Sequence, residues 1–179
     1  MRIFHYFLII FSAACFTTAF AQAPAGQTTQ SHSVLFTQLA QSATIHSMKK
    51  PNWYRLTLHH VANNIAWFTN RPARHHGTLP AQKFVQLWHK GPNNFSDTPP
   101  NADLVFLSKT SHGLTETHEH IVELTKPHYQ PTHQQFSYQI KTLPPRHQMV
   151  LGKTRGVALF IDSADFDFGC IKVDFWKCF

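Results

Sequence analysis

The sequence predicts an all-β protein, an immunoglobulin-like β-sandwich with one short helical insertion. Three observations lead there. Apolar and polar residues alternate with period two in several stretches, most clearly in Trp53-Tyr54-Arg55-Leu56-Thr57-Leu58-His59, which puts Tyr54, Leu56 and Leu58 on one face of a half-buried strand. These stretches are short and parted by loops rich in Pro, Gly, Asn and His, the layout of an antiparallel sandwich. One short stretch, Pro80 to Lys90, has helical spacing: Phe84, Leu87 and Trp88 recur on one side, with Thr78 placed to cap it and Gly91-Pro92 to stop it.

Taken in chain order, Met1-Arg2, the apolar run Ile3 to Phe20 and the small-x-small Ala19-Phe20-Ala21 before Gln22 predict a signal peptide over residues 1–21. The mature chain is therefore expected to be exported, secreted or periplasmic. Ser12-Ala13-Ala14-Cys15 offers a rival lipoprotein reading, weakened because Ser12 stands where a large aliphatic residue is expected. Residues 22–33 hold no charge and no apolar period and read as a flexible leader. Residues 34–179 are expected to form one β-sandwich domain, since the 158 residues left after cleavage suit a single core. No second apolar run reaches the roughly 20 residues of a membrane-spanning helix, so no transmembrane segment is expected.

Within that domain, Val34 to Ile45 is ambiguous. Leu35, Leu39 and Ser42 suit a helix, whereas Phe36, Thr37, Thr44 and Ile45 favour a strand, at least in the second half. Trp53 to His59 and Ile65 to Thr69, separated by Asn63-Asn64, read as a hairpin closed by Arg71-Pro72. Further strands are expected at Ala102 to Leu107, His120 to Thr125, Gln135 to Thr142, Val157 to Ile161 and Ile171 to Trp176. In the last of these Ile171, Val173 and Phe175 share a buried face.

Charge narrows the function classes. Cleavage removes Arg2 and takes 16 basic residues to 15 against nine acidic ones, a formal charge of +6, and 13 of the 14 histidines remain. Because an unperturbed imidazole titrates near about 6.5, positive charge should rise steeply on mild acidification. Such a surface suits an anionic surface or a small anionic ligand. The cations are scattered in pairs such as Lys49-Lys50, with no long basic run and no nucleic-acid motif, so no nucleic-acid partner is expected. Two cysteines survive cleavage, Cys170 and Cys178, and in an oxidising compartment they are expected to form a disulfide.

Three segments resemble a group of small secreted bacterial proteins of uncharacterised function, whose shared stretch runs from a strand through Trp/Tyr-Phe-Ser-Asp-Arg-Pro to a Gly, a Phe/Val-Trp helix and Pro-Asn-Ala. Here they read Leu56 to Val61, Trp67-Phe68-Thr69-Asn70-Arg71-Pro72-Ala73-Arg74, and then Gly77, Phe84 to Trp88 and Pro100-Asn101-Ala102. Leu124 to Tyr129 and Ala158 to Asp162 are also similar, so the resemblance spans roughly residues 34 to 162. It implies a shared fold and carries no activity across. Asn70 replaces the acid expected before Arg71, and Asn can hydrogen-bond but cannot neutralise a guanidinium.

Candidate sites follow from residue chemistry. Arg71 and Arg74 are planar bidentate donors suited to carboxylate, sulfate or phosphate, and with His75 and His76 they form the predicted ligand-binding set. The competing structural reading makes this segment a corner, with Trp67 in the core and Arg71 fastening the turn. His118 and His120 lie two apart, so on a strand both imidazoles face one way and could share zinc or copper. A third ligand has to come from elsewhere, with His59, His60, His75, His76 and His112 as candidates. Asp162, Asp165 and Asp167 supply hard oxygens but lack the glycine and terminal glutamate of a calcium loop. No Gly-x-Ser-x-Gly is present and no acid pair stands in a distinguishing motif, so no catalytic residue and no resident cofactor is named. The sequence points to a non-enzymatic binding protein with an anionic ligand, and secondarily to a metal-binding protein or metal-dependent enzyme using the His-x-His.

Overall fold

The computed structural model of the chain describes residues 33–71, 74–89, 94–144 and 148–163. The expected leader before Ser33, the strand at Ile171 to Trp176, the Cys170–Cys178 disulfide, Asp165 and Asp167 lie outside the described residues.

Eight antiparallel strands carry the fold: β1 (Val34–Ser47), β2 (Trp53–Val61), β3 (Asn64–Thr69), β4 (His76–Pro80), β5 (Asn101–Lys109), β6 (Thr115–Gln130), β7 (Gln135–Thr142) and β8 (Gly152–Ser163). One short helix, α1 (Ala81–Val85), continues into a 3₁₀ turn at Gln86–Trp88. The protein is thus all-β and sandwich-like with one short helix, as its sequence predicts. What the pairing adds is closure. The strands run β2-β7-β6-β5-β8-β1-β3-β4, and β1 also pairs β2, so six strands form a ring around one core. Closing the ring removes the free edges that a six-stranded open sheet would expose.

β1 makes the closure because it is long enough to serve three neighbours. Residues 34–45 pair β8 on one edge, while on the other edge residues 34–37 pair β3 and residues 40–47 pair β2. The ambiguity at Val34 to Ile45 resolves as strand throughout. The predicted hairpin of Trp53 to His59 with Ile65 to Thr69 does not form. Instead β2 and β3 lie one after the other along β1, and β3 pairs with β4, which the sequence reading did not predict.

Three adjacent strands step out of phase at one level. Inward-facing residues are three apart, not two, at Ala40/Ala43, Leu58/Val61 and Thr154/Val157, and Ala40 pairs with both Val61 and Val157. His60 and Gly156 sit at this step with φ of 54° and 51°. The step bends all three strands together, which a small closed sheet needs to keep both halves of each strand facing inward.

The interior is filled by Phe36, Ile45, Leu56, Leu58, Leu104, Phe106, Leu124, Phe136, Tyr138 and Ile140, all fully buried. α1 adds Phe84, whose ring meets Phe36 and Phe136 at centroid distances of 5.1 and 6.2 Å, while Trp88 meets Phe84 and Phe95 at 5.4 and 4.8 Å. Phe84 and Leu87 are buried as the helical spacing requires. The N-cap is Pro80 with no side-chain cap, so Thr78 does not serve, and Ala81 N–H instead donates to Asn63 O at 2.8 Å. Among the described residues no helix is long and apolar enough to cross a membrane.

Candidate functional site

Among the described residues, each predicted ligand-binding or metal-binding residue has a definite place. Trp67 is turned into the core at 7 % exposure and Phe68, its neighbour on a strand, outward at 46 %. Trp67 lies against Gly77, where an added Cβ would fall 2.9 Å from the indole. The corner that follows is fastened by Thr69: its Oγ1 accepts from His75 N–H at 2.9 Å, and its own N–H donates to His75 O at 2.8 Å. Arg71 does not do this. Among the described residues the Arg71 and Arg74 side chains make no hydrogen bond or ion pair; both are exposed, and Arg74 adopts φ 53°. His75 is half-buried and His76 exposed, so the four lie on an open turn that carries two guanidinium cations, Arg71 and Arg74, toward solvent.

His118 and His120 share one face of β6, as their spacing requires, but that face is the inner one. His120 is only 6 % exposed, and both rings stack on Phe106 at 5.2 and 5.8 Å. His118 Nε2 and Ser108 Oγ form a 2.7 Å hydrogen bond, with Glu116 Oε2 at 3.8 Å from the same nitrogen. Among the described residues no group of three His, Cys, Asp or Glu side chains is placed to hold a metal, so none of the candidate third ligands joins the pair. Asp162 is exposed and accepts from Ser33 Oγ at 2.8 Å.

A different site emerges on the outside of β2, β7 and β6. The registers Arg55↔Gln139, Thr57↔Ser137 and His59↔Gln135, with Thr125↔Gln139, His128↔Ser137 and Gln130↔Gln135 on the other side, place these side chains in three cross-strand rows. Leu56, Leu58, Phe136, Tyr138 and Ile140 point inward, so the residues between them must point outward. β6 carries one extra residue between Thr125 and His128, a bulge at which Lys126 has φ 48° and Pro127 stands where the ladder is already broken. The bulge brings both Lys126 and His128 to the same opening. The result is a groove of about 370 Å³ lined by Arg55, Thr57, Lys126, His128, Gln130, Gln135, Ser137, Tyr138 and Gln139, with no carboxylate in its lining.

The positive character extends past the groove. On the same outer surface His46 pairs with Arg55, Lys153 with Thr44 and Arg155 with Ser42. His59 bridges the strands: its Nε2 meets Thr44 Oγ1 at 2.9 Å and its Nδ1 meets Gln135 Nε2 at 3.3 Å. Burial, then the nearby His60 and Lys153, hold its imidazole below the ordinary histidine range. Among the described residues Glu123 is the acid on this side, and it faces Lys141 at 3.8 Å.

A second groove, where the start of β1 and the end of β8 meet β3 and β5, is of opposite character. Leu35, Phe68, Ile121 and Phe160 floor a shallow groove of about 490 Å³ rimmed by Asp103 and Asp162. Burial and then Glu119 push the Asp103 carboxyl above its ordinary range. Among the described residues the two grooves thus differ in charge: cations and amides line the first, carboxylates and exposed apolar groups the second.

The sequence reading missed Arg55, Lys126, His128 and Gln139. A signal for half of it was present, since Arg55-x-Thr57-x-His59 and Gln135-x-Ser137-x-Gln139 alternate with apolar residues and so must face outward together. Which strand lies beside which is not written in the alternation. Compared with family models, curated proteins and solved structures, the chain matches none. Among the described residues the fold and the groove lining define an all-β protein with a basic, polar groove, and the functional reading rests on that geometry.

Proposed function

We propose that this is an exported, non-enzymatic binding protein whose ligand is anionic and is held in the groove across β2, β7 and β6. The observation that carries the reading is the convergence of Arg55, Lys126 and His128 on one opening that contains no carboxylate. A guanidinium supplies a planar pair of donors, an ammonium a mobile point charge, and an imidazole a charge that appears on acidification. Lys153 and Arg155 on nearby β8 enlarge the positive field and would raise the rate of capture. Export is supported by the N-terminal sequence alone. The unpaired Arg71 and Arg74 provide a second, open cationic turn that suits weak surface contact better than selective binding.

A linear polyphosphate at low salt is a plain multivalent probe. It should bind the mature protein, bind more tightly at pH about 5.5 than at about 7.5 as histidines gain charge, and weaken as salt rises. Arg55→Gln with Lys126→Gln should abolish most of this binding, whereas Arg71→Gln with Arg74→Gln should leave most of it. Absence of binding by the parent at low salt, or full binding by the Arg55/Lys126 variant, overturns the assignment.

A further inference from the structure

We infer that the groove takes an acidic saccharide, a ligand whose carboxylate or sulfate groups alternate with hydroxyls. This rests on the anion-binding reading above and deepens it. The argument is the arrangement of charge across the three strands. Within the groove lining, β7 in the middle presents neutral groups, Gln135, Ser137 and Gln139, while the cations Arg55 and Lys126, with the His128 imidazole, stand on the flanking strands β2 and β6.

A simple anion leaves that central row without a purpose. The oxygens of sulfate and of the internal units of a polyphosphate only accept, so each amide or hydroxyl facing them can use its donor while its acceptor oxygen goes unmatched. Carboxamides and hydroxyls both donate and accept, and sugar hydroxyls do the same. Thr57 and Gln130 extend the neutral set to five side chains against two cations and one imidazole. A ligand that satisfies both sets has hydroxyls over β7 and anionic substituents reaching out to each side.

The groove also tells against the other anionic polymer, nucleic acid. Sequence-tolerant binding of single strands relies on aromatic rings on which bases stack. The one aromatic residue in the lining, Tyr138, is 1 % exposed and turns its hydroxyl inward to Gln38 at 2.8 Å, so it offers no stacking face.

The test uses the mature full chain with three probes of similar length: a sulfated uronate hexasaccharide, a neutral glucose hexasaccharide and a linear polyphosphate matched in charge to the first. The acidic hexasaccharide should bind about tenfold or more tighter than the polyphosphate, and the neutral one far more weakly than either. Gln139→Met should weaken the acidic saccharide by about three- to tenfold, the worth of one net hydrogen bond, and polyphosphate by a clearly smaller factor, since only the saccharide uses both the donor and the acceptor of the amide. Arg55→Gln should weaken both. Equal affinity for polyphosphate and saccharide, or no effect of Gln139→Met on the saccharide, overturns the saccharide assignment while the anion site stands. If neither anionic probe binds, both readings fall.

Discussion

Inside the ring the Tyr138 hydroxyl donates to Gln38 Oε1 at 2.8 Å, joining β7 to β1 across the core with both side chains buried. Burial pushes the phenol well above its ordinary range, the bond to Gln38 only partly opposing this, so it remains a donor at any physiological pH. Tyr138→Phe strips this donor from a buried acceptor and should lower unfolding stability by about 1–2 kcal/mol in denaturant titration. Adding Gln38→Leu to that variant should cost less than the two single changes summed, because the second change removes the stranded amide. A strictly additive pair would show that the bond does not couple the strands.

Trp67 and Phe68 are adjacent in sequence and opposite in burial. Trp67→Ala should destabilise by about 3–5 kcal/mol, and Phe68→Ala by well under half of that. Arg71→Ala should change stability by no more than about 0.5 kcal/mol, since among the described residues its guanidinium fastens nothing. Thermal unfolding of the three variants separates these outcomes. A cost at Arg71 as large as that at Trp67 would restore the reading of Arg71 as the clamp of the corner.

Gly77 faces the Trp67 indole, with space for a hydrogen and not for a methyl group. Gly77→Ala should therefore lower the melting temperature, although alanine is usually the better residue in a strand. Combining it with Trp67→Phe, which shortens the ring system, should recover part of the loss. A stabilised Gly77→Ala protein would mean that β4 moves away from β3 at little cost.

His59 is held below the ordinary histidine range, so it contributes stability that is fully present above the unfolded value near about 6.5. That contribution is lost as pH falls through the folded value. Protonation also places a donor at Nδ1 against the Gln135 amide donor. Denaturant midpoints of the parent should fall as pH drops below about 6.5, and His59→Gln should show a smaller fall over the same range. Parallel pH profiles would assign the acid sensitivity to other groups.

Asp103 carries the reverse sign. An acid whose folded pKa is raised contributes most below its unfolded value, near about 4, and loses that contribution as pH rises through the folded value. Asp103→Asn should accordingly raise the melting temperature at pH about 7, and the gain should shrink toward pH about 4, where the parent carboxyl is already neutral. A gain independent of pH would point to packing or hydrogen bonding in place of charge.

Much of the fold was written locally. The alternation in Trp53 to His59 and Gln135 to Thr142 fixed which side chains turn inward, because a strand has no other way to bury every second residue. Phe84 and Leu87 announced a short helix by spacing alone. The same locality set the limit. His118 and His120 were rightly read as sharing a face, but which face lay inward depended on Val122 and Leu124 continuing the buried row along β6. Asn63-Asn64 suggested a hairpin, yet β2 and β3 both pair β1, since one long strand can satisfy two shorter ones end to end. Above all, the groove needs Arg55, Gln139 and Lys126 side by side although they are up to 84 positions apart in the chain. Sequence by itself determined that each faces outward; only the pairing of β2 with β7 and of β7 with β6, and the bulge at Lys126, decided that they face the same ligand. Neighbourhood across a sheet is set by hydrogen-bond register between distant segments, and no local period encodes it.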